Sequence, residues 1–117
     1  MSQNNRINYI EFPAKELEPI KSFYTDVFGW TFTDYGDAYS AFSDGALNGG
    51  FYKADIASSA QDGAALVVLY ADELEDAMAR VEHHGGKVVK DIFDFPGGRR
   101  FHFQDPSGNE LSVWSDK

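Results

Sequence analysis

The segment FHFQDPSGNELSVW, residues 101–114, predicts two short strands joined by a tight turn. Asp105 suits the start of that turn because its side chain can accept hydrogen bonds from the backbone ahead, and Gly108 suits its close. The flanking residues alternate between bulky and small side chains, which indicates a sheet with two different faces. A similar string, FSDGALNGGFY, occupies residues 42–52. The chain therefore carries one hairpin pattern twice, and this repetition is the main clue to its fold.

The rest of the sequence repeats in the same way. An offset of 57 residues aligns Gly29 with Gly86, each at the end of a predicted helix. An offset of 61 residues aligns Asp44 of the first hairpin with Asp105 of the second. Each half of the chain predicts a strand, a helix and then three strands. The predicted strands cover about 7–13, 30–35, 38–43 and 47–53 in the first half, and about 64–70, 87–93, 99–104 and 109–114 in the second.

Two apolar stripes at helical spacing mark the helices. The stripes are Ile20, Phe23, Tyr24, Val27 and Phe28 in the first half, and Leu74, Ala77, Met78 and Val81 in the second. We therefore predict an α+β fold in one domain over residues 1–117, with two tandem βαβββ modules forming a curved mixed sheet around a cleft. Module one covers about 6–53, a linker about 54–63 and module two about 64–115.

Composition limits the classes of function. With 43% hydrophobic and 15% aromatic residues, the 117-residue chain can bury a core, and it has no cysteine for disulfides or thiolate metal sites. No apolar run is long enough to span a bilayer, so we expect no membrane partner and a cytoplasmic location. A net charge of −9 argues against nucleic acid binding, because phosphate contacts need a basic face. The charge is compatible with a cationic ligand, although solubility alone is the simpler interpretation.

Two stretches of the chain resemble a known family. INYIEFPAKELEPIKSFYTDVFGW (residues 7–30) and DPSGNELSVW (residues 105–114) are similar to the vicinal oxygen chelate superfamily, which includes glyoxalase I, extradiol dioxygenases and the fosfomycin and bleomycin resistance proteins. The resemblance implies the paired βαβββ fold that the repeat predicts. It also implies a homodimer and a small-molecule ligand, but not one reaction, because this fold supports several unrelated chemistries.

The resemblance also implies where metal ligands would lie. Metal-using members carry them on the first and last strand of each module, and the matching positions here are Tyr9, Phe51, Leu66 and Ser112. Phe51 and Leu66 offer no donor atom, and Ser112 is a weak neutral donor. Tyr9 would have to ionise before it could bind a cation. We therefore expect the metal site to be lost, with no metal and no other cofactor.

The same strands predict a ligand pocket on the inner face of the sheet. Alternation puts Tyr9 and Glu11 on one face of the first strand, and Ser112 shares a face with Trp114 on the last. Arg100 adds a guanidinium group that could hold a carboxylate or phosphate. In the alternative interpretation, Tyr9 and Trp114 are core or dimer-interface aromatics. The predicted ligand-binding residues are Tyr9, Glu11, Phe51, Leu66, Arg100, Ser112 and Trp114.

Glu11 and His102 are the candidate catalytic residues. A carboxylate on the inner face of a sheet is costly unless a ligand, water or a partner compensates it, and this suits Glu11 to acid–base chemistry. The structural alternative is an ion pair with Arg99 or Arg100. The two arginines could instead neutralise acidic side chains nearby in the sequence. His102 lies inside a predicted strand, where it could act as a base, although a lone strand histidine is more often structural.

Three hypotheses for function follow from these features. In the first, the chain is a superfamily member without the usual metal site that binds a small aromatic or cationic molecule in the sheet cleft. In the second, it is a lyase or isomerase related to glyoxalase I that uses Glu11 as base, or a metal held by other residues. In the third, the cleft is vestigial and the protein serves in assembly. The sequence determines neither the ligand nor whether the cleft forms within one chain or between two.

Overall fold

The computed structural model describes residues 4–117 and shows two helices and eight strands in that part of the chain. In module one these are β1 (Tyr9–Ala14), α1 (Leu17–Phe28), β2 (Thr31–Asp34), β3 (Tyr39–Ser43) and β4 (Asn48–Lys53). In module two they are β5 (Val67–Tyr70), α2 (Leu74–His83), β6 (Lys87–Phe95), β7 (Gly98–Gln104) and β8 (Glu110–Ser115). The predicted α+β fold with two βαβββ modules is confirmed.

Each module folds into its own four-stranded mixed sheet. The strand order is β1-β4-β3-β2 in the first sheet and β5-β8-β7-β6 in the second. In each module the first strand pairs in parallel with the last, and the other neighbours are antiparallel. β1 lies at a sheet edge, which explains how it accommodates Pro13, a residue without an amide hydrogen for a ladder bond.

α1 forms because its apolar residues recur at helical spacing and both of its ends carry the expected signals. Pro19 lies in the first turn, where its missing N–H costs nothing. Gly29 ends the helix in the left-handed conformation, with a φ of 75°, and its amide donates to the carbonyl of Thr25. No helix within residues 4–117 is long and apolar enough to cross a membrane.

The helices cover one side of each sheet. Tyr24 of α1 packs against Phe51 of the first sheet, with ring centroids 5.3 Å apart. Phe23 of the same helix packs against Phe103 of the second sheet, with centroids 5.9 Å apart. Both contacts belong to one buried cluster that also contains Val81 of α2. α1 therefore joins the two sheets on their helix-covered sides, and we call the side of each sheet that faces away from the helices its open face.

Asp105 connects the second hairpin to module one. Its side chain is buried, and one carboxylate oxygen accepts the backbone amides of Ser107 and Asn109 at 2.9 and 3.0 Å. The other oxygen accepts the hydroxyl of Tyr24 at 2.8 Å and the side-chain amide of Asn109 at 3.0 Å. Asn109 also donates to the carbonyl of Pro13 in β1 at 2.7 Å. The predicted turn is therefore also a joint between the modules, which we call the Asp105 clamp.

Residues 54–63, predicted as a linker, run alongside the start of β8. The amide of Ser58 donates to the side-chain oxygen of Asn109 at 2.8 Å. The amide of Glu110 donates in turn to the carbonyl of Ser58 at 2.7 Å. The segment is thus attached to the same hairpin that carries the Asp105 clamp.

We expect Asp105→Asn to lower the free energy of unfolding by about 2–4 kcal/mol, because the new amide group would face buried donors and leave them unpaired. Asp44→Asn is the matched control, since Asp44 occupies the same turn position in module one, is exposed, and accepts the backbone amides of Ala46 and Leu47. It should cost less than about 1 kcal/mol. Urea denaturation measures both changes, and equal losses would contradict the role of the clamp.

Candidate functional site

The open face of the first sheet carries Tyr9 and Glu11. Tyr9 pairs with Asn48 across the β1–β4 ladder, and Glu11 pairs with Gly50. Ile10, between them, and Phe12, after them, point to the other side, where Ile10 packs against the core and Phe12 is buried in it. Tyr9 is 43% exposed, and Glu11 is also exposed. The alternation inferred from the sequence is therefore the one that the strand adopts.

Tyr39 reaches Glu11 by crossing Gly50. A Cβ on Gly50 would lie 1.9 Å from the Tyr39 hydroxyl oxygen, so the ring needs a residue without a side chain there. Tyr39 Oη donates to Glu11 Oε2 at 2.8 Å, and Tyr9 Oη lies 2.5 Å from Tyr39 Oη. Burial, reinforced by the hydrogen bonds with Tyr9 and Glu11, raises the pKa of Tyr39. We call Tyr9, Glu11 and Tyr39 the open-face trio.

A cavity of about 430 Å³ adjoins the trio, and Tyr9 belongs to both. Tyr35 also lines the cavity and is 65% exposed, so aromatic surface is available to a ligand. Hydroxyl groups on β2 and β3 add hydrogen-bond donors and acceptors to the wall. This combination suits a small ligand with an aromatic body and polar substituents. The lining residues are Tyr9, Thr31, Thr33, Tyr35, Ala41, Phe42, Ser43 and Asn48.

The predicted placement of Phe51 on the open face is wrong. Phe51 is fully buried on the helix-covered side, where it packs against α1. Five residues separate β7 from β8, but only four separate β3 from β4. An alignment of the two hairpins with one fixed offset is therefore wrong by one residue after the turn. Ser112 pairs with Val68 of β5. The residue that pairs with the equivalent position of β1 is Gly50, which is therefore the counterpart of Ser112.

The open face of the second sheet carries Ser112 and Trp114. Ser112 is fully buried, and its hydroxyl donates to the carbonyl of Phe101 at 2.9 Å. Trp114 is half-buried, and its ring centroid lies 5.2 Å from that of Tyr70 and 6.1 Å from that of Phe95. The Ser112 hydroxyl is thus already hydrogen-bonded to a backbone carbonyl, whereas Trp114 is part of an aromatic surface.

Two further predicted ligand contacts, Leu66 and Arg100, also belong to module two. Leu66 lies just before β5, which begins at Val67, three residues later than predicted. Arg100 extends over two aromatic rings, with its Cζ 5.3 Å from the centroid of Phe93 and 5.6 Å from that of Phe95. The guanidinium group is therefore held by cation–π contacts on the second sheet.

The ion pair considered for Glu11 is wrong. Arg99 pairs with Glu75 of α2, and this contact lowers the pKa of Glu75. Arg100 stacks on aromatic rings of its own module. Glu11 instead accepts the hydroxyl of Tyr39. Its partner is therefore a neutral donor within module one.

His102 lies on the open face of the second sheet, opposite Ser112 in the β7–β8 ladder. The imidazole is buried, and its Nδ1 lies 3.0 Å from Glu110 Oε2. This hydrogen bond lowers the pKa of Glu110. Glu11 lies on the other sheet, so the structure assigns the two catalytic candidates to separate surfaces rather than to one pair.

The metal positions implied by the resemblance hold few donor atoms. With the corrected register they are Tyr9, Gly50, Leu66 and Ser112. Gly50 and Leu66 have no side-chain donor, and the Ser112 hydroxyl already bonds a carbonyl. Within residues 4–117, no three His, Asp or Glu side chains form a group that could hold a metal ion. These residues do not fit a divalent cation.

Sequence reasoning missed the roles of Tyr39 and Gly50. The available signal was the pair Gly49–Gly50 inside a predicted strand, because glycine in a strand often marks the close approach of another group. Which group approaches depends on the register of three strands, and the sequence pattern does not contain that register.

We expect Gly50→Ala to displace the Tyr39 ring and break its hydrogen bond to Glu11, since the new methyl group would overlap the ring. The free energy of unfolding should fall by about 1–3 kcal/mol. In a Tyr39→Ala background the same substitution should cost less than about 1 kcal/mol, because the overlap is gone. Urea denaturation of the four proteins gives the coupling, and additive effects would show that the two residues do not compete for space.

Glu110 allows a test by pH. Its pKa lies below the usual 4.5 because His102 hydrogen-bonds the carboxylate, so the ionised group stabilises the fold above that pH and this contribution is lost as the pH falls through the lower, folded value. Glu110→Gln should lower the free energy of unfolding by about 1 kcal/mol at neutral pH and by much less in acid. Urea denaturation at several pH values measures this, with exposed Glu82→Gln as control. A pH-independent difference would contradict the expectation.

Comparisons of sequence place the chain among known proteins. The sequence model of the Glyoxalase/Bleomycin resistance protein/Dioxygenase superfamily matches residues 6–113. Anthracycline biosynthesis protein DnrV of Streptomyces peucetius and Anthracycline biosynthesis protein DauV of Streptomyces sp. strain C5 are each 36% identical over 124 aligned residues. The alignment covers 91% of this chain and 45% of each relative, so the chain spans less than half the length of these relatives.

Several solved structures share the fold. A glyoxalase-related enzyme from Fulvimarina pelagi has a TM-score of 0.79 at 15% identity, over 95% of this chain and 88% of that chain. The fosfomycin resistance protein FosX from Mesorhizobium loti has a TM-score of 0.77 at 15% identity, over 97% and 93%. Lactoylglutathione lyase from Agrobacterium tumefaciens has a TM-score of 0.72 at 21% identity, over 97% and 96%. The structural likeness concerns the fold, and the match over residues 6–113 shows that the chain belongs to the glyoxalase/bleomycin resistance protein/dioxygenase superfamily.

Proposed function

We propose that the chain binds a small aromatic molecule, preferably a cation, on the open face of the first sheet and without a metal ion. The observation that carries this proposal is the open-face trio beside the cavity of about 430 Å³. A carboxylate held in place by a tyrosine hydroxyl, next to exposed aromatic rings, is a suitable recognition site for a planar cation.

The cavity wall supports an aromatic ligand. Tyr9 and Tyr35 present ring surface that the protein itself leaves partly exposed. Thr31, Thr33 and Ser43 supply hydroxyl groups that can pair with polar substituents of the ligand. Stacking on the tyrosines would provide most of the binding energy, while the hydroxyls would fix the ligand's orientation.

Charge favours a cation over an anion. Glu11 is exposed on the open face and accepts the Tyr39 hydroxyl, and none of the ion pairs formed within residues 4–117 includes its carboxylate. The chain as a whole carries a net charge of −9, which raises the local concentration of cations and repels anions. Both the local charge of Glu11 and the overall charge of the chain therefore favour a cationic ligand.

The metal-free part of the proposal rests on donor chemistry. Divalent cations in proteins require several carboxylate, imidazole or thiolate ligands in fixed geometry. Gly50 and Leu66 cannot contribute any side-chain ligand, which leaves at most Tyr9 and Ser112 at the four positions. Binding therefore depends on the organic surface of the ligand alone.

The names of the curated relatives support the aromatic character of the ligand. DnrV and DauV are both named for anthracycline biosynthesis. Anthracyclines are polycyclic aromatic compounds, and a ligand of that general kind is compatible with the tyrosines and hydroxyls of the cavity wall. The relatives are more than twice as long as this chain, so only the ligand class is carried over to the proposal.

A lyase or isomerase is the second candidate function, and the contact between Glu11 and Tyr39 favours it. Glu11 would accept a proton from a substrate carbon, and Tyr39 would exchange its hydrogen bond to Glu11 for one to a neighbouring substrate oxygen. In that case Glu11→Gln would abolish turnover and not merely weaken binding. Stoichiometric zinc, nickel, manganese or iron in the purified protein would contradict the metal-free binding proposal and favour the form of this second candidate in which other residues hold a metal.

We further propose a homodimer, in line with the superfamily resemblance. Several large apolar side chains on both modules are exposed, among them Ile7 at 78%, Val68 at 41% and Tyr70 at 48%. Exposed apolar surface of this kind is typical of contact regions between proteins. Sedimentation equilibrium tests the proposal, and a monomer at all concentrations would contradict it.

We expect 9-aminoacridine, a planar cation, to bind at least about tenfold more tightly than acridine-9-carboxylate, its anionic analogue, because only the cation is attracted to Glu11. Glu11→Gln should weaken binding of the cation by about five- to tenfold. The ratio of the affinities for the two probes should therefore become smaller. Fluorescence titration of each probe measures the affinities.

The matched control is Glu82→Gln, which removes one exposed carboxylate from α2 and leaves the open face intact. It makes the net charge less negative by the same one unit, so the control separates the local effect of the Glu11 carboxylate from the effect of the protein's overall charge. Equal affinity for the two probes, or equal losses in the Glu11 and Glu82 variants, would show that the proposed site is wrong.

A further inference from the structure

A second candidate site lies on the other sheet, around a hydrogen-bonded histidine and glutamate. His102 is only 7% exposed, and its Nδ1 lies 3.0 Å from Glu110 Oε2. The other carboxylate oxygen of Glu110 accepts the backbone amide of Ala60 at 3.2 Å. Both oxygens of Glu110 are therefore fixed, and this fixes the orientation of the imidazole.

The second nitrogen of the imidazole has no partner. Among residues 4–117, the buried side-chain nitrogen and oxygen atoms without a hydrogen bond are His102 Nε2 and Arg100 Nε, which lie two positions apart on the same face of β7. An ionised Glu110 accepts a hydrogen bond from Nδ1–H, so Nε2 of the neutral ring carries a lone pair. A buried acceptor of this kind is costly to leave unpaired, and a ligand that donates to it would relieve that cost.

His102 lines a cavity of about 490 Å³, a size suited to a one- or two-ring compound. Lys90 and Gln104 form part of the same wall, and residues 59–61 of the linker close one side. Lys90 faces His102 across the β6–β7 ladder and takes part in none of the ion pairs formed by the described residues. The histidine that carries the unpaired, buried Nε2 and a lysine therefore line one cavity.

We infer that this cavity binds a weakly acidic hydroxyl compound of the phenol class and that His102 Nε2 accepts its proton. The O–H bond of the phenol breaks, an N–H bond forms at Nε2, and the electron pair stays on the phenolate oxygen. The resulting imidazolium is stabilised by Glu110 through Nδ1–H, as in other oriented histidine bases. The phenolate is stabilised by the positive charge of Lys90.

Arg100, a second cation near His102, also favours a bound phenolate. Arg100 shares the open face of β7, and both side chains contact Phe93, with centroid distances of 5.8 Å to the His102 ring and 5.3 Å to the Arg100 Cζ. Lys90 Nζ lies 4.9 Å from the centroid of the same ring. The groups that face His102 are thus one carboxylate, Glu110, and two cations, an arrangement that favours a bound phenolate over the neutral phenol.

This inference concerns a different sheet from the proposed aromatic site and does not depend on it. The probe is 4-nitrophenol, whose phenolate absorbs visible light while the neutral phenol does not. At a fixed pH slightly below the pKa of the free probe, added wild-type protein should increase the phenolate absorbance in a saturable manner. His102→Gln should abolish the increase, and Lys90→Met should reduce it severalfold.

Two matched variants identify the site. Glu11→Gln, on the other open face, and His83→Gln, which removes an exposed histidine at the end of α2, should leave the absorbance change unaltered. Loss of the signal in Glu11→Gln would place 4-nitrophenol on the first sheet and overturn the inference. Full signal in His102→Gln, or no signal with the wild-type protein, would also overturn it.

Nuclear magnetic resonance of the wild-type protein gives a readout that does not depend on how well any variant folds. The nitrogen chemical shifts of the three histidine rings report protonation and hydrogen bonding at each Nε2. Addition of 4-nitrophenol should move the His102 Nε2 resonance toward that of an imidazolium and leave those of His83 and His84 in place. An unchanged His102 resonance at saturating probe would contradict proton transfer to Nε2.

Discussion

The buried Asp105 carboxylate is the interaction on which the arrangement of the two modules depends. Burial raises its pKa, while hydrogen bonds from Asn109, Tyr24 and Ser107 act in the opposite direction. The charge is tolerated because donors from the turn and from α1 reach both oxygens. Asn109 extends the contact to β1 through the carbonyl of Pro13. A turn of five residues therefore determines how both sheets, and the open face of each, are positioned.

The sequence predicted the features that local physics determines. Gly29 and Asp105 act within a few residues of themselves, so the helix end and the turn could be recognised from pattern alone. The predicted placement of Phe51 was wrong because the second hairpin has one more loop residue than the first. An alignment with a fixed offset ignores that residue, and a shift of one residue moves a side chain to the other side of the sheet. Tyr39 was missed because its partner, Glu11, lies 28 residues away and meets it only through the register of β1, β3 and β4.

The two modules have kept one architecture and differ on their open faces. Glu11 and Gly50 form a pair in the first sheet, and the equivalent pair in the second is Val68 and Ser112. In the second sheet His102 pairs with Ser112 across the β7–β8 ladder, and the equivalent position in the β3–β4 ladder of the first sheet carries no imidazole. The helix-covered sides must stay apolar to pack, whereas the open faces carry no such constraint. This difference explains why the fold is easily recognised while the chemistry of each face has to be argued from its own residues.

Position 50 shows that a metal ligand and the open-face trio exclude each other. Any side chain that could bind a metal there needs a Cβ, and a Cβ at Gly50 would lie 1.9 Å from the Tyr39 hydroxyl oxygen. The Tyr39 ring thus occupies the volume that a ligand side chain would need. By crossing Gly50 it gains a hydrogen bond to Glu11 and shares another with Tyr9. The absence of a side-chain donor at position 50 and the hydrogen bonds of the trio are therefore two consequences of one packing arrangement.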